Sequence, residues 1–244
     1  MTIAGTKLDG VALVFGSGRG IGQQAAFLLA EAGARAIVFA DLNEETARAS
    51  AQASKRYATN TEYTATHFAI DNGTHLPVAE MSIPNFDSVM ATNTRGMLLC
   101  CHARKRPPCA HNHANPSRRA TGRLDNVNVA SANFFAGLPG KGAYTISKHG
   151  CMGVTKMPGL DHSAEGVRCN ALCLVWVRKP LLDEELRKNP EVQGMIKAMV
   201  PIGRAAECEE VGDTIVYLLS PSASYINGTS LVADRALTTT IRLH

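Results

Sequence analysis

Three groups of residues in this chain have the types and spacing to do chemistry. Tyr144-Thr-Ile-Ser-Lys148 carries a phenol and an ammonium at i and i+4, so on a helix both stand on one face. A phenol is a poor acid–base at its unperturbed pKa of about 10. An ammonium beside it favours the phenolate, which suits it to proton transfer. Ser131 lies 13 residues upstream of Tyr144, where a hydroxyl could steady a substrate carbonyl oxygen. The second group is Gly16-Ser-Gly-Arg-Gly-Ile-Gly22, a turn whose glycines let the backbone approach a pyrophosphate without interference from side chains. The third is Asp41, 19 residues after Gly22, placed to accept hydrogen bonds from an adenosine ribose. A negative charge there repels a 2′-phosphate and favours NAD over NADP. Arg19 pulls the other way, because its guanidinium is able to pair with that phosphate.

These residues need elements to hold them. Val11–Phe15 reads as a buried strand, the glycine turn follows, and 21–32 reads as a helix with Gly33 at its C-cap. Ala36–Ala40 reads as a second strand ended by Asp41, and 43–57 as a second helix capped by Asn43. Thr66–Ile70 reads as a third strand ended by Asp71. Strand–helix–strand–helix–strand with a tight first turn opens a doubly wound parallel sheet. Further on, the pattern predicts a helix from Phe86 to about Arg104, stopped by Pro107-Pro108. A strand is predicted over 124–130, a long helix over 143–163, a strand over 169–177, a helix over 207–219 and a last strand over 229–233. Pro158-Gly159 is expected to interrupt the long helix past Lys148.

Composition narrows the function classes. A chain of 244 residues fits one α/β domain, taken here as residues 1–244. The longest apolar run, 171–177, is seven residues and far short of the roughly 18 that span a bilayer. No signal-peptide core precedes it, so a cytoplasmic protein with reduced thiols is expected, with no membrane partner. Six positive charges, Arg104, Lys105, Arg106, Arg118, Arg119 and Arg123, lie in one segment; without them the net charge of +4 becomes −2. That segment has no aromatic residue to stack on bases, so it reads as a solvated loop and no nucleic acid is expected. Cys100, Cys101, His102, Cys109, His111 and His113 cluster, but their spacing matches no finger pattern, and no metal is expected. Met195, Ile196, Met199 and Val200 read either as a lid over an apolar substrate pocket or as ordinary core.

With the glycine turn, Asp41, Ser131 and Tyr144-x-x-x-Lys148 in this order, the chain resembles the short-chain dehydrogenase/reductase family of the classical type from Gly16 to Asp234. The resemblance implies a Rossmann-type fold and reversible hydride transfer between NAD, with NADP left open, and a secondary alcohol or ketone of a small metabolite. It implies that Gly16, Arg19, Gly20, Ile21 and Gly22 hold the coenzyme, that Asp71 touches the adenine and that Val177 meets the nicotinamide amide. Tyr144 would be the general acid–base, Lys148 would bind the nicotinamide ribose, Ser131 would orient substrate, and Asn93 would hold a relay water. A homo-oligomer stays open. The chain departs from the family at Lys179, where a threonine is usual, and at Asp234-Arg-Ala236, where Asp-Gly-Gly is usual. Asp71 and Asn93 stand only 22 residues apart, too few for the expected helix and strand, so the segment around the fourth strand is expected to be missing. A catalytically impaired relative that keeps the fold and nucleotide binding is therefore the alternative reading.

Overall fold

The computed structural model describes residues 8–57, 62–66, 76–102 and 124–239. It divides into two compact units, one of Met1–Ala69, Leu174–Ser220 and Ala233–His244, the other of Ile70–Cys173 and Pro221–Val232.

In the first unit, β1 (Val11–Phe15), β2 (Ala36–Ala40) and β3 (Glu62–Thr66) form a parallel sheet in that order. Val11 stands opposite Ala36, and Ala36 opposite Glu62. The expected strand Thr66–Ile70 shares Thr66 with β3, and its other four residues lie outside the described ones. Ala40, the last residue of β2, stands opposite Thr66. Residues 67–75 lie outside the described ones.

Helix α1 (Gly20–Glu31) buries Ala25, Ala26, Phe27, Leu28 and Leu29 as its alanine- and leucine-rich face demands. It packs on α8 (Cys208–Leu219), where Gly212 lets the two helices meet: a Cβ there would stand 2.5 Å from Leu28 Cδ1. Helix α2 (Glu44–Ser54) starts at the expected cap, the Asn43 side chain accepting the Thr46 N–H. The unit also holds the short parallel pair β6 (Val177–Arg178) and β7 (Ala206–Glu207) and the helices α6 (Pro180–Lys188) and α7 (Glu191–Met199). Ile196 and Val200 pack with Leu182 in a small core, whereas Met195 is exposed.

The second unit contains α3 (Ile83–Val89), a π turn over Met90–Arg95, α4 (Gly96–His102), β4 (Leu124–Ser131), α5 (Gly142–Asp161), β5 (Val167–Leu174) and β8 (Ser230–Ala233). The strands run β4-β5-β8 across their sheet. The α3 helix starts before the expected Phe86, because Ser82 caps it by accepting the Asn85 N–H and Pro84 sits in the first turn, where its missing N–H costs nothing. The long helix runs through Pro158 without the expected interruption. Its last turn is held from outside: Asn227 Nδ2 donates to Gly159 O at 2.9 Å and to Val167 O at 3.2 Å. The predicted 169–177 strand ends instead at Leu174, and Val177 joins the separate β6. Among the described residues no strand lies between Thr66 and Ile83, apart from a single parallel bridge from Leu76 to Lys141.

Candidate functional site

The glycine turn is strapped to the end of β2. Gly16 N–H donates to Ala40 O at 2.6 Å and Ser17 N–H to the same oxygen at 3.2 Å. Ser50 Oγ donates to Gly18 O at 3.0 Å, and Gln23 Nε2 donates to Ser50 Oγ at 2.8 Å. Gly20 has φ +61°, a left-handed conformation that disfavours other residues. A Cβ on Gly22 would stand 2.6 Å from the Gly16 carbonyl carbon, so the first turn of α1 packs on the loop only because that atom is absent. Ile21 is half-buried in that turn. Arg19 is the exposed, extended N-cap of α1, and its side chain does not cap the helix. The backbone is therefore open over a helix start, which fits a dinucleotide pyrophosphate.

Asp41 stands where the sequence places it, at the end of β2. Its Oδ2 accepts the Gly18 N–H at 2.8 Å and its Oδ1 the Asn43 N–H at 3.0 Å. The carboxylate thus doubles as a clamp on the glycine turn, a role invisible in a sequence pattern. Val177 is buried in β6. Asp71, the expected adenine contact, lies outside the described residues, as do Cys109, His111, His113 and the basic segment 104–123.

In the second unit Tyr144 and Lys148 share one face of α5, with Lys148 Nζ 5.4 Å from the centre of the Tyr144 ring. Lys148 is only 7% exposed. Between them, Ser147 Oγ donates to Tyr144 O at 2.7 Å and accepts from Asn93 Nδ2 at 3.1 Å. Asn93 sits in the π turn, an irregularity common at functional sites. Thr94 Oγ1 donates to Ser147 O at 3.0 Å, and Cys151 Sγ contacts Asn93 O at 3.5 Å. Gly150 admits the π turn, since a Cβ there would meet Thr94 Cγ2 at 2.8 Å.

Ser131 ends β4. Its Oγ accepts the Asn133 N–H at 3.3 Å, and Asn133 Nδ2 reaches Thr145 Oγ1 at 3.4 Å, which ties the serine turn to the helix of Tyr144. Ser147, Thr94 and Asn133 were not foreseen as parts of the site. Only Ser147 had a signal, its place inside the Tyr144–Lys148 turn. Burial raises the Cys151 thiol and pushes Cys173 up to about 11, with Lys148 opposing both. These thiols stay protonated beside the lysine.

Comparison with known proteins gives three findings. A family model for enoyl-(acyl carrier protein) reductases matches residues 62–238. A short-chain dehydrogenase of Penicillium roqueforti is 31% identical over 267 aligned residues, covering 95% of this chain and 97% of the relative. Two solved structures share the fold: levodione reductase, with a TM-score of 0.80 and 24% identity over 95% of this chain and 98% of that one, and a protein described as a 2-deoxy-d-gluconate 3-dehydrogenase of Agrobacterium tumefaciens with bound NADP, with a TM-score of 0.77 and 23% identity over 98% of both chains. Among the described residues no helix is long and apolar enough to cross a membrane, and no three metal-ligating side chains cluster.

Proposed function

The chain belongs to the short-chain dehydrogenase/reductase family, whose members are nicotinamide-dependent oxidoreductases, and from that premise we propose that it interconverts a secondary alcohol and its ketone on a small, apolar metabolite. The observation that carries this reading is the Tyr144–Lys148 turn and its hydrogen-bond chain through Ser147 to Asn93. A bound nicotinamide supplies the hydride acceptor or donor. Tyr144 takes the hydroxyl proton in oxidation and returns it in reduction. Lys148, buried beside the ring, offers donors to a ribose. The Ser131 hydroxyl donates to the substrate oxygen and fixes it before Tyr144. Asn93, held by Ser147, steadies the π turn and keeps the path to Lys148 in register. We read the chain as a single dehydrogenase domain in which the first unit binds the coenzyme.

Tyr144→Phe tests this assignment. Turnover of a ketone panel should vanish while NADH binding, followed by fluorescence, stays nearly intact. Retention of most activity by that variant sinks the reading.

Of the two coenzymes, Asp41 favours NAD, because its carboxylate is anchored by two backbone N–H groups and cannot swing away from a 2′-phosphate. Arg19 is the opposing charge, and the NADP-bound Agrobacterium neighbour keeps that coenzyme in play for the fold. NADH should bind more tightly than NADPH, and Asp41→Ala should narrow the gap. Exposed Leu98 and Leu99 on α4 and Met157 and Leu160 on α5 are apolar surface that a second copy of the chain would bury, which supports a homo-oligomer.

A second reading, impaired catalysis, rests on one observation. The alignment with the Penicillium protein runs over 267 residues, more than the 244 of this chain, so positions of that relative have no counterpart here. In keeping with this, Val11 on β1 is 62% exposed, unusual for a strand of a doubly wound sheet. Cooperative melting above about 45 °C together with ordinary turnover would remove this reading.

A further inference from the structure

On the dehydrogenase reading the Ser131 hydroxyl has one proton to direct at a substrate oxygen. The structure shows a second acceptor for that proton: Ser131 Oγ donates to Asn133 Oδ1 at 3.5 Å. The same serine oxygen accepts the Asn133 N–H at 3.3 Å. Asn133 thus meets Ser131 twice, its main chain as donor and its side chain as acceptor. The other end of the amide is anchored, because Nδ2 donates to Thr145 Oγ1 at 3.4 Å. Thr145 follows Tyr144 on α5, so one amide links the serine to the helix of the phenol. Ser131, Asn133, Tyr144 and Thr145 are all half-buried, so the cluster is neither fully wet nor sealed in the core. Bond length decides what the contact does. An O–H···O bond is commonest near about 2.7 Å, so at 3.5 Å Asn133 Oδ1 competes weakly and a substrate oxygen at ordinary distance displaces it.

We propose that Asn133 is a positioning residue that aims the Ser131 hydroxyl and yields its hydrogen bond to the substrate oxygen, with Thr145 holding the amide in place. The inference rests on the dehydrogenase reading above and adds to it a residue that the motif spacing does not mark. A serine hydroxyl left to itself turns among staggered positions. Aiming it in advance removes an orientation cost that the reaction would otherwise bear. The Asn133 N–H also withdraws charge from Oγ, which makes the hydroxyl the better donor when it turns to substrate.

The experiment is a double-mutant cycle on the full chain, read by steady-state reduction of a ketone panel with NADH and by NADH fluorescence titration. Asn133→Ala should lower kcat about fivefold, the size expected for one neutral hydrogen bond, with NADH affinity unchanged. In a Ser131→Ala background the same substitution should change the residual rate less than twofold, because the hydroxyl it aims is gone. A merely structural role would cost the same in both backgrounds. Thr145→Val, which removes Oγ1 at similar shape, should give a smaller loss in kcat, and Thr145→Ser should restore it. Far-UV circular dichroism checks folding, and the two Thr145 variants carry the test if Asn133→Ala does not fold. Unchanged kcat in Asn133→Ala and Thr145→Val, or a full fivefold loss in the Ser131→Ala background, overturns the inference alone. If the unsubstituted chain reduces no ketone, the dehydrogenase reading falls and the inference with it.

Discussion

The unit that carries the glycine turn has an almost wholly aliphatic and aromatic core, with Phe27, Leu28, Leu29, Ile37, Phe39 and Val216 at its centre. The unit that carries Tyr144 holds an apolar cluster of Ala130, Met152, Ala171 and Cys173, with Val89 and Leu172 also buried. Around it lie buried polar groups, among them Asn128, Ser147, Lys148, Thr155, Arg168 and Asn170. Asn128 donates to Thr155 at 2.9 Å, and Arg168 donates to Ala223 O at 2.9 Å and pairs with Asp125 at 2.9 Å. Apolar packing is tolerant of small changes in shape, whereas a buried polar network fails when one member is lost. Binding a coenzyme needs a rigid backbone cradle, which packing provides. Moving a proton needs donors and acceptors inside, and those must be mutually satisfied.

The sharpest way to break this comparison is Gly22→Val. Its Cβ must displace the Gly16 carbonyl, so the first unit should lose about 3 kcal/mol or more and all measurable coenzyme binding, read by chemical denaturation and fluorescence titration. A folded variant that binds NADH normally would show that the cradle is less rigid than described. Ser147→Ala probes the other unit. It removes the oxygen that joins Asn93 to the Tyr144 turn, and should cost about 1–3 kcal/mol. Turnover should fall while coenzyme affinity holds. An equal fall in both would mean that the network serves stability alone.

The next effect has the opposite sign. Arg235 and Ala236 have φ of +52° and +66°, left-handed values that disfavour side chains, at the place where glycines are usual in the family. The buried Asp234 carboxylate holds this turn, accepting from Ala236 N–H at 2.9 Å and from Thr238 N–H at 2.8 Å. Ala236→Gly should relieve strain and raise stability by about 0.5–1 kcal/mol, net of the added freedom of the unfolded glycine. A lower melting temperature in that variant contradicts the strain.

The smallest effect concerns acid. Arg204 and the Glu207 N–H hold the Glu210 carboxyl down to about 2. Its folded value lies below its unfolded one, so the interaction stabilises above the unfolded pKa of about 4.3 and is lost as pH falls toward 2. The pair is more than a third exposed, so solvent screens it and its effect is small. Glu210→Gln should flatten the pH dependence of melting in that window and change little at pH 7.

Much of the first unit is legible in the sequence because its signals are local. Val11–Phe15, the glycines, Asn43 and Asp41 each act within a few residues or one strand–helix step, and hydrophobic runs of 5 residues mark β1 and β2 without ambiguity. The start of the third strand at Glu62 is not legible in composition, and pairing with β2 sets it. The continuity of α5 through Pro158 was misjudged for a related reason: propensity sees the proline but not Asn227, 68 residues from Gly159, holding the last turn. The shared helix face of Tyr144 and Lys148 is readable from their spacing, whereas the contacts of Ser147 and Asn93 around them are not.

What the sequence by itself determined is whatever depends on backbone geometry at short range. The phenol and ammonium share a face because a helix returns after four residues, and a glycine turn opens a helix start because no Cβ stands in the way. Tertiary structure alone decided the contacts between residues far apart. Among these are the 54-residue link from Asn93 to Ser147, the clamp of Asp41 on Gly18 across 23 residues, and the approach of Lys179 to Gly20. Such pairs are chosen by how whole elements pack, and packing sums many weak contacts that no local pattern records.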